Sequence, residues 1–224
     1  MFFLPSALLI FLFFILFLPI LFILGYFHIL TIGFENLGFS SGTTLFIFLA
    51  ILIGSAINIP LTKKKLFYSQ KPRFFGFLKT PKLEIQGLAI NLGGAIIPIL
   101  LSFYFLYLGW KMGFNLQPVL IATGLMIIIS KLLAKIIPGR GIVLSVFIPP
   151  IFAVIFALML SPDFTAPCAF ISGVLGTLIG ADLLNLKRVQ EISPGFVSIG
   201  GAGVFDGIFL IGVISALLSG FLGL

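Results

Sequence analysis

The sequence contains few charged residues, a single cysteine and a single histidine. Charged side chains make up 8% of the 224 residues, too few to cover the surface of a water-soluble globule. Because Cys168 is the only cysteine, an internal disulfide is excluded. His28 stands alone and no His, Cys and acidic residues cluster along the chain, so we expect no metal site and no cofactor. The chemistry of this chain must therefore rest on very few ionisable groups.

Long apolar runs fill most of the chain, and hydrophobic residues make up 60% of it. About 20 apolar residues suffice to cross the hydrocarbon of a bilayer as a helix. Seven such runs are present, at roughly 4–31, 43–62, 87–110, 117–137, 142–160, 167–186 and 197–221. The first run has no basic region before it and is longer than a signal-peptide core, so we interpret it as a retained span. The sequence predicts an all-α, polytopic transmembrane helix bundle of seven spans, forming one domain over residues 1–224.

The basic residues lie almost entirely between alternate runs, and the net charge is +7. They are Lys63, Lys64, Lys65, Lys71, Arg73, Lys79 and Lys82 after the second run, Lys131, Lys135 and Arg140 around the turn after the fourth, and Lys187 and Arg188 after the sixth. By the positive-inside rule, this pattern predicts a cytoplasmic N-terminus and an outer C-terminus. We therefore expect a prokaryotic cytoplasmic (inner) membrane protein whose basic face contacts anionic lipid.

Residues 62–86, "TKKKLFYSQKPRFFGFLKTPKLEIQ", form the one segment polar and long enough to lie outside the bilayer. Basic residues mixed with aromatic residues can stack on single-stranded nucleic acid, but beside a membrane the same mixture anchors a loop at the headgroups. We favour the anchor and expect no nucleic-acid partner. Pro72 and Pro81 argue against one continuous helix. The segment is predicted to be a basic-aromatic cytoplasmic loop.

Two of the six acidic residues lie inside apolar runs. Asp182 is near the end of the sixth run and Asp206 is near the start of the seventh. An ionised aspartate at a helix centre costs about 2.5–3.5 kcal/mol on insertion scales, so one found there usually serves a site. The sixth and seventh spans run in opposite directions, which brings both aspartates toward the same cytoplasmic side of the membrane. The pair is the strongest candidate for a functional site.

Small residues accompany both aspartates. Gly203 and Gly207 flank Asp206, while Gly176 and Gly180 form a similar pair four residues apart in the sixth run. Such pairs mark close helix packing, and their position beside both carboxylates also favours a site.

Three asparagines are further candidates. Asn185, one turn after Asp182, either bonds to its carboxylate or marks the end of the helix. Asn58 and Asn91, near the cytoplasmic ends of the second and third runs, either line the same cavity or bond across helices.

Two neighbouring carboxyl groups can share one proton. The ionised member then takes a proton from water while the protonated member donates to a carbonyl oxygen. This chemistry belongs to aspartic proteases.

The segment "GGAGVFDGIFLIG" (200–212) resembles the second catalytic segment of the GxGD intramembrane aspartyl proteases. That superfamily includes presenilins, signal peptide peptidases and prepilin peptidases. The resemblance implies that Asp182 and Asp206 are the catalytic dyad, on spans six and seven. It also implies that Gly201 and Gly203 correspond to the Gly-x-Gly of the family segment.

The chain departs from that family in three places. Val204 and Phe205 separate Gly203 from the second aspartate, and Ala181 replaces the usual tyrosine before the first. There is no Pro-Ala-Leu tripeptide, and Pro60 in "NIPL" is the candidate for a comparable kink. The chain as a whole also resembles a family of prokaryotic membrane proteins that share "GADLLNL" and "GGAGxFDGIF".

These observations predict an intramembrane aspartic endopeptidase that cleaves transmembrane or signal-type helices. The alternative is a proton- or cation-coupled transporter or channel that uses the same two aspartates. A third hypothesis is a member without catalysis that binds helices as a chaperone or scaffold.

Overall fold

A computed structural model gives the fold and describes residues 37–62, 65–73, 78–137, 141–145, 147–192, 196–201 and 207–222. The first apolar run, Gly203 and Asp206 lie outside the described residues. Every structural statement below concerns the described part of the chain.

The described chain is mostly helical, which confirms the helical character predicted from hydropathy. The helices are α1 (Ser41–Ser55), α2 (Ile97–Lys111), α3 (Gln117–Leu133), α4 (Ile148–Leu160), α5 (Thr165–Thr177), α6 (Leu186–Ile192) and α7 (Gly207–Leu222). The Ser40 hydroxyl caps α1 by accepting the Thr43 N–H at 3.3 Å. Helices α2, α3 and α4 each have proline in the first turn, where its missing N–H has no partner to lose. Local sequence therefore defines where these helices begin.

Irregular turns extend two of the helices. A π-helical turn, Leu92–Ile96, leads directly into α2. A 3-10 turn (Pro162–Phe164) precedes α5, and a π-helical turn (Leu178–Asp182) and a second 3-10 turn (Leu183–Asn185) connect α5 to α6. The two resulting stretches, Leu92–Lys111 and Pro162–Gln190, are long and apolar enough to cross a membrane. Helices α1, α3 and α4 are also apolar but have only 13 to 17 residues.

A four-stranded sheet accompanies the helices and corrects the all-α prediction. It contains β1 (Asn58–Pro60), β2 (Lys65–Arg73), β3 (Leu78–Asn91) and β6 (Phe196–Ile199). All three partners pair with β3: β1 and β2 run antiparallel to it, and β6 runs parallel. A separate hairpin joins β4 (Lys135–Ile137) to β5 (Gly141–Val143).

The predicted loop 62–86 is largely a β-hairpin, formed by β2 and the first part of β3. Its register runs from Lys65 opposite Gln86 to Arg73 opposite Leu78. The prediction that Pro72 and Pro81 prevent one continuous helix is confirmed, but the strands were not predicted.

Helix α5 lies at the centre of the bundle, where it packs against α2, α3, α4 and α7. Phe170, Ile171 and Val174 of this helix are fully buried. Large apolar side chains are also exposed on the outer helices: Phe46 on α1 is 72% exposed, Leu132 on α3 is 76% exposed and Met159 on α4 is 76% exposed. Large exposed apolar surfaces mark interfaces with membranes or partners. With the two long apolar stretches, this surface is in keeping with a membrane protein.

Candidate functional site

Asp182 is the last residue of the π-helical turn that follows α5, and it is half-buried. A π-helical turn disrupts the regular ladder of backbone hydrogen bonds and is frequent at functional sites. Here Asn185 bonds to the backbone of this turn: its Nδ2 donates to the carbonyl oxygens of Gly180 at 3.2 Å and Ala181 at 2.9 Å. Asn185 was expected either to bond to the Asp182 carboxylate or to mark the end of the helix, but it bonds to the backbone and the helix continues beyond it into α6. Asn185 thereby fixes the backbone on which Asp182 is carried.

Gly176 and Gly180 allow the segment before Asp182 to pack closely against α3. A Cβ atom on Gly176 would collide with the Met126 side chain, and one on Gly180 would collide with the Ile127 carbonyl oxygen. The predicted close packing of this glycine pair is present, with α3 as the neighbour. The contact between α5 and α7 uses a different glycine, Gly212, where a Cβ atom would lie 2.5 Å from Val174 Cγ2.

The Asp182 carboxylate is held by the backbone of a distant segment. The Gly200 N–H, just after β6, donates to Asp182 Oδ2 at 2.8 Å. Gly200 and Gly201 have φ angles of +80° and +77°, in the left-handed region that glycine adopts readily. A Cβ atom on Gly200 would also lie 2.6 Å from Ala95 Cβ in the first π-helical turn. The glycine pair therefore lets the chain turn sharply beside Asp182 while packing on the turn before α2.

The structure brings Asn58 and Asn91 together at the end of the β1–β3 ladder, where they are direct partners. Asn91 is 1% exposed, and its Nδ2 donates to Asn58 Oδ1 at 3.1 Å and to the Ser55 carbonyl oxygen at 2.7 Å. Its Oδ1 accepts the Gly94 N–H at 2.7 Å. A hydrogen bond between Asn58 and Asn91 was one of the two expected roles. The bond is present, but it joins two strands and not two helices.

Of the remaining predicted site residues, three lie in the described part of the chain and two do not. Pro60 is exposed in β1, opposite Ala89. Gly201 follows Gly200 in the turn beside Asp182, and Gly207 is the first residue of α7. Asp206 and Gly203 fall outside the described residues, so the predicted Asp182–Asp206 pair stays a prediction.

Ser198 was missed by sequence reasoning, and the role of Gly200 as a donor to Asp182 was not predicted. Ser198 Oγ donates to Asn58 Oδ1 at 2.6 Å, which connects β6 to β1. The sequence offered two signals: the adjacent glycines at 200–201, and the repeated "AIN" at 56–58 and 89–91. Neither identifies a serine, because a hydroxyl in an apolar run is common in any element.

Comparisons with known proteins place the chain in a family without assigning an activity. Neither the curated proteins nor the solved structures contain a match to it. One family matches residues 52–218. Within the described residues this range covers α2 to α6, strands β1 to β6, the last turn of α1 and most of α7. Because that match spans well over half of the 224 residues, the chain belongs to the family described as "Protein of unknown function (DUF1614)".

Proposed function

We propose that this protein is an intramembrane aspartic endopeptidase in which Asp182 and Asp206 activate water to cleave transmembrane or signal-type helices. The observation that carries the proposal is the hydrogen bond from the Gly200 N–H to the Asp182 carboxylate. It brings the segment that leads toward Asp206 directly onto the first carboxylate.

Two described contacts support the pairing of the acids. Gly200 bonds to Asp182, and Gly212 packs against Val174. Between these contacts, one chain segment advances by 12 residues while the other goes back by 8 (212 − 200 and 182 − 174). The two contacts therefore pair the segments in opposite chain directions. Asp206 comes six positions after Gly200 and one before the first residue of α7 (206 − 200 and 207 − 206), and we expect its carboxyl group to reach that of Asp182.

The proposed reaction needs one proton shared by the two acids. The ionised carboxylate removes a proton from water, the hydroxide adds to the carbonyl carbon, and the protonated acid donates to the carbonyl oxygen. Collapse of the tetrahedral intermediate breaks the C–N bond. The proton taken from water passes to the leaving nitrogen, and a hydroxyl group of the intermediate returns a proton to the second acid as the carboxylic acid product forms. The Gly200 N–H orients the Asp182 carboxylate throughout, because a charge-assisted hydrogen bond fixes both distance and direction.

The proposal includes seven spans, with the N-terminus in the cytoplasm of a prokaryotic cell and the C-terminus outside. The exposed residues Lys187 and Arg188 follow Asp182 by five and six positions, so about 8 Å of helix separates the carboxylate from a basic surface. We propose that this surface contacts anionic headgroups and that water reaches the acids from the same side. A substrate helix must unwind locally before its amide bonds become accessible.

The test is cleavage of a fluorogenic transmembrane helix by purified protein in liposomes. Asp182→Asn and Asp206→Asn are each expected to reduce cleavage by at least 1,000-fold, on the order of the loss seen when a catalytic group is removed. Asp163→Asn is the matched control, because Asp163 is exposed in the 3-10 turn before α5. Circular dichroism checks that all three variants remain folded. Cleavage that persists in folded Asp182→Asn and Asp206→Asn variants would refute the proposal.

A transporter is the second candidate, and the irregular turns inside Pro162–Gln190 favour it. A π-helical turn and a 3-10 turn interrupt the α-helix at Asp182, and ion-coupled transporters build their sites from interrupted helices near polar side chains. The same liposomes distinguish the two functions. Ion-dependent uptake that requires Asp182, without cleavage of any helix, would support the transporter.

A further inference from the structure

Asn58, Asn91 and Ser198 form a hydrogen-bonded group on one face of the sheet, which we call the sheet cluster. Residues two apart on a strand share a face, so Asn91 and Ala89 lie on the same side of β3. Asn58 pairs with Asn91, and Ser198 pairs with Ala89. Ala89 is fully buried and has only a methyl group. Its small size lets Asn58 reach across β3 to Ser198.

Strand β6 depends on this contact more than a longer strand would. It has four residues, all in parallel pairing with β3, and parallel pairs are slightly less stable per residue than antiparallel ones. Gly200, the donor to Asp182, follows β6 directly. Any shift of β6 therefore moves this donor.

The sheet cluster also fixes the surface on which Gly200 rests. Asn91 Oδ1 accepts the Gly94 N–H in the first π-helical turn, and Gly200 packs against Ala95 of the same turn. Asn91 Nδ2 connects this arrangement to the last residue of α1 through the Ser55 carbonyl oxygen. The strand before Gly200 and the turn beneath it are thus held by one group of polar side chains. Such groups rigidify their surroundings when every member is paired.

We infer that Ser198, Asn58 and Asn91 are positioning residues, which act through the Gly200 N–H to orient the Asp182 carboxylate. Their effect on turnover rests on the proposed protease function. Their effect on the position of Gly200 does not, so the two can be tested separately.

The first measurement is amide hydrogen exchange of the peptide that contains residues 196–201. Ser198→Ala is expected to speed exchange of the Gly200 amide about 5- to 10-fold, as the loss of one hydrogen bond predicts. Ser198→Thr keeps the hydroxyl and suits a strand, so it should restore slow exchange. Asn58→Ala removes the acceptor in exposed β1 and should act like Ser198→Ala. Peptides from α5 report whether the bundle itself is disturbed.

The second measurement separates kcat from KM for cleavage of the helix substrate. A positioning role predicts that Ser198→Ala lowers kcat about 5- to 10-fold with little change in KM, because it alters the orientation of the Asp182 carboxylate and not the binding of the substrate. Unchanged exchange at Gly200 in both variants would overturn the inference, as would an equal increase throughout α5. Faster exchange confined to residues 196–201, in a protein that cleaves nothing, would support the positioning and count against the protease.

Discussion

Gly200 must satisfy two conditions at once: a φ angle of +80° and close contact with Ala95. An alanine there is strained by about 1–2 kcal/mol for the left-handed backbone and by about 1–3 kcal/mol more for overpacking. We expect Gly200→Ala to lower the free energy of unfolding by the sum of both terms. Chemical denaturation in detergent, followed by circular dichroism, measures this.

Gly113 is the matched control for Gly200. Its φ angle is also +80°, but a Cβ atom on it would meet nothing within 4 Å. Gly113→Ala should therefore show the backbone strain alone. Equal losses of stability in the two variants would mean that contact with Ala95 contributes nothing.

Some residues of the candidate site could be predicted from the sequence, whereas Ser198 could not, and the difference has a physical reason. Asp182 was identified because a carboxylate in an apolar run is costly and rarely kept without a role. Asn58 and Asn91 were identified for the same reason, as polar groups that need partners. Ser198 could not be identified, since a serine hydroxyl can bond to its own helix backbone, as Ser102 and Ser215 do. Only the fold shows that its partner is 140 positions away.

Among the elements, α5 and α3 show how glycine permits close packing. A Cβ atom on Gly180 would collide with the backbone carbonyl of Ile127, which cannot rotate away as a side chain can. We expect Gly180→Ala to destabilise the protein by about 1–3 kcal/mol, typical of overpacking. Thermal unfolding in detergent provides the measurement.

Gly124 on α3 is the matched control, because the same substitution there is expected to raise stability and not to lower it. No atom lies within 4 Å of a Cβ built on it. Gly124→Ala should therefore stabilise the helix by about 0.5–1 kcal/mol, because alanine loses less backbone entropy than glycine. If Gly180→Ala proved as well tolerated as Gly124→Ala, α3 and α5 would not be packed as described.

The helices were predictable from hydropathy, but the strands were not. Short apolar segments such as "LAIN" give the same hydropathy in either conformation, and periodicity cannot separate a buried strand from a buried helix. In β1, β3 and β6 the ladder bonds satisfy the backbone groups that a continuous helix would have satisfied internally. Within the described residues, the helical character of the apolar runs was therefore predicted, while the strands inside them were not.

For the whole molecule, labelling of single cysteines tests the orientation. Cys168 is fully buried, so the parent protein should react slowly. Asp163 and Arg188 are exposed near opposite ends of Pro162–Gln190. About 37 Å of helix separates them (25 residues), more than the roughly 30 Å hydrocarbon thickness. A membrane-impermeant maleimide should label Arg188→Cys only from the cytoplasmic side and Asp163→Cys only from the outside.

The parent protein, with Cys168 alone, supplies the background for this labelling. Labelling of both positions from one side would exclude a span between them. Labelling of Asp163→Cys from the cytoplasmic side and of Arg188→Cys from the outside would show that the orientation is the reverse of the one proposed, with the basic residues outside.

The parallel pairing of β3 with β6 determines the order in which the site can assemble during synthesis. Ile90 and Ile199 are partners although 109 positions separate them (199 − 90). While the ribosome translates the residues between them, β3 has no parallel neighbour and Asp182, once made, has no Gly200 to donate to it. In the protease that we propose, a hydrolytic centre that needs this hydrogen bond would therefore stay inactive in the nascent chain until Gly200 has been made.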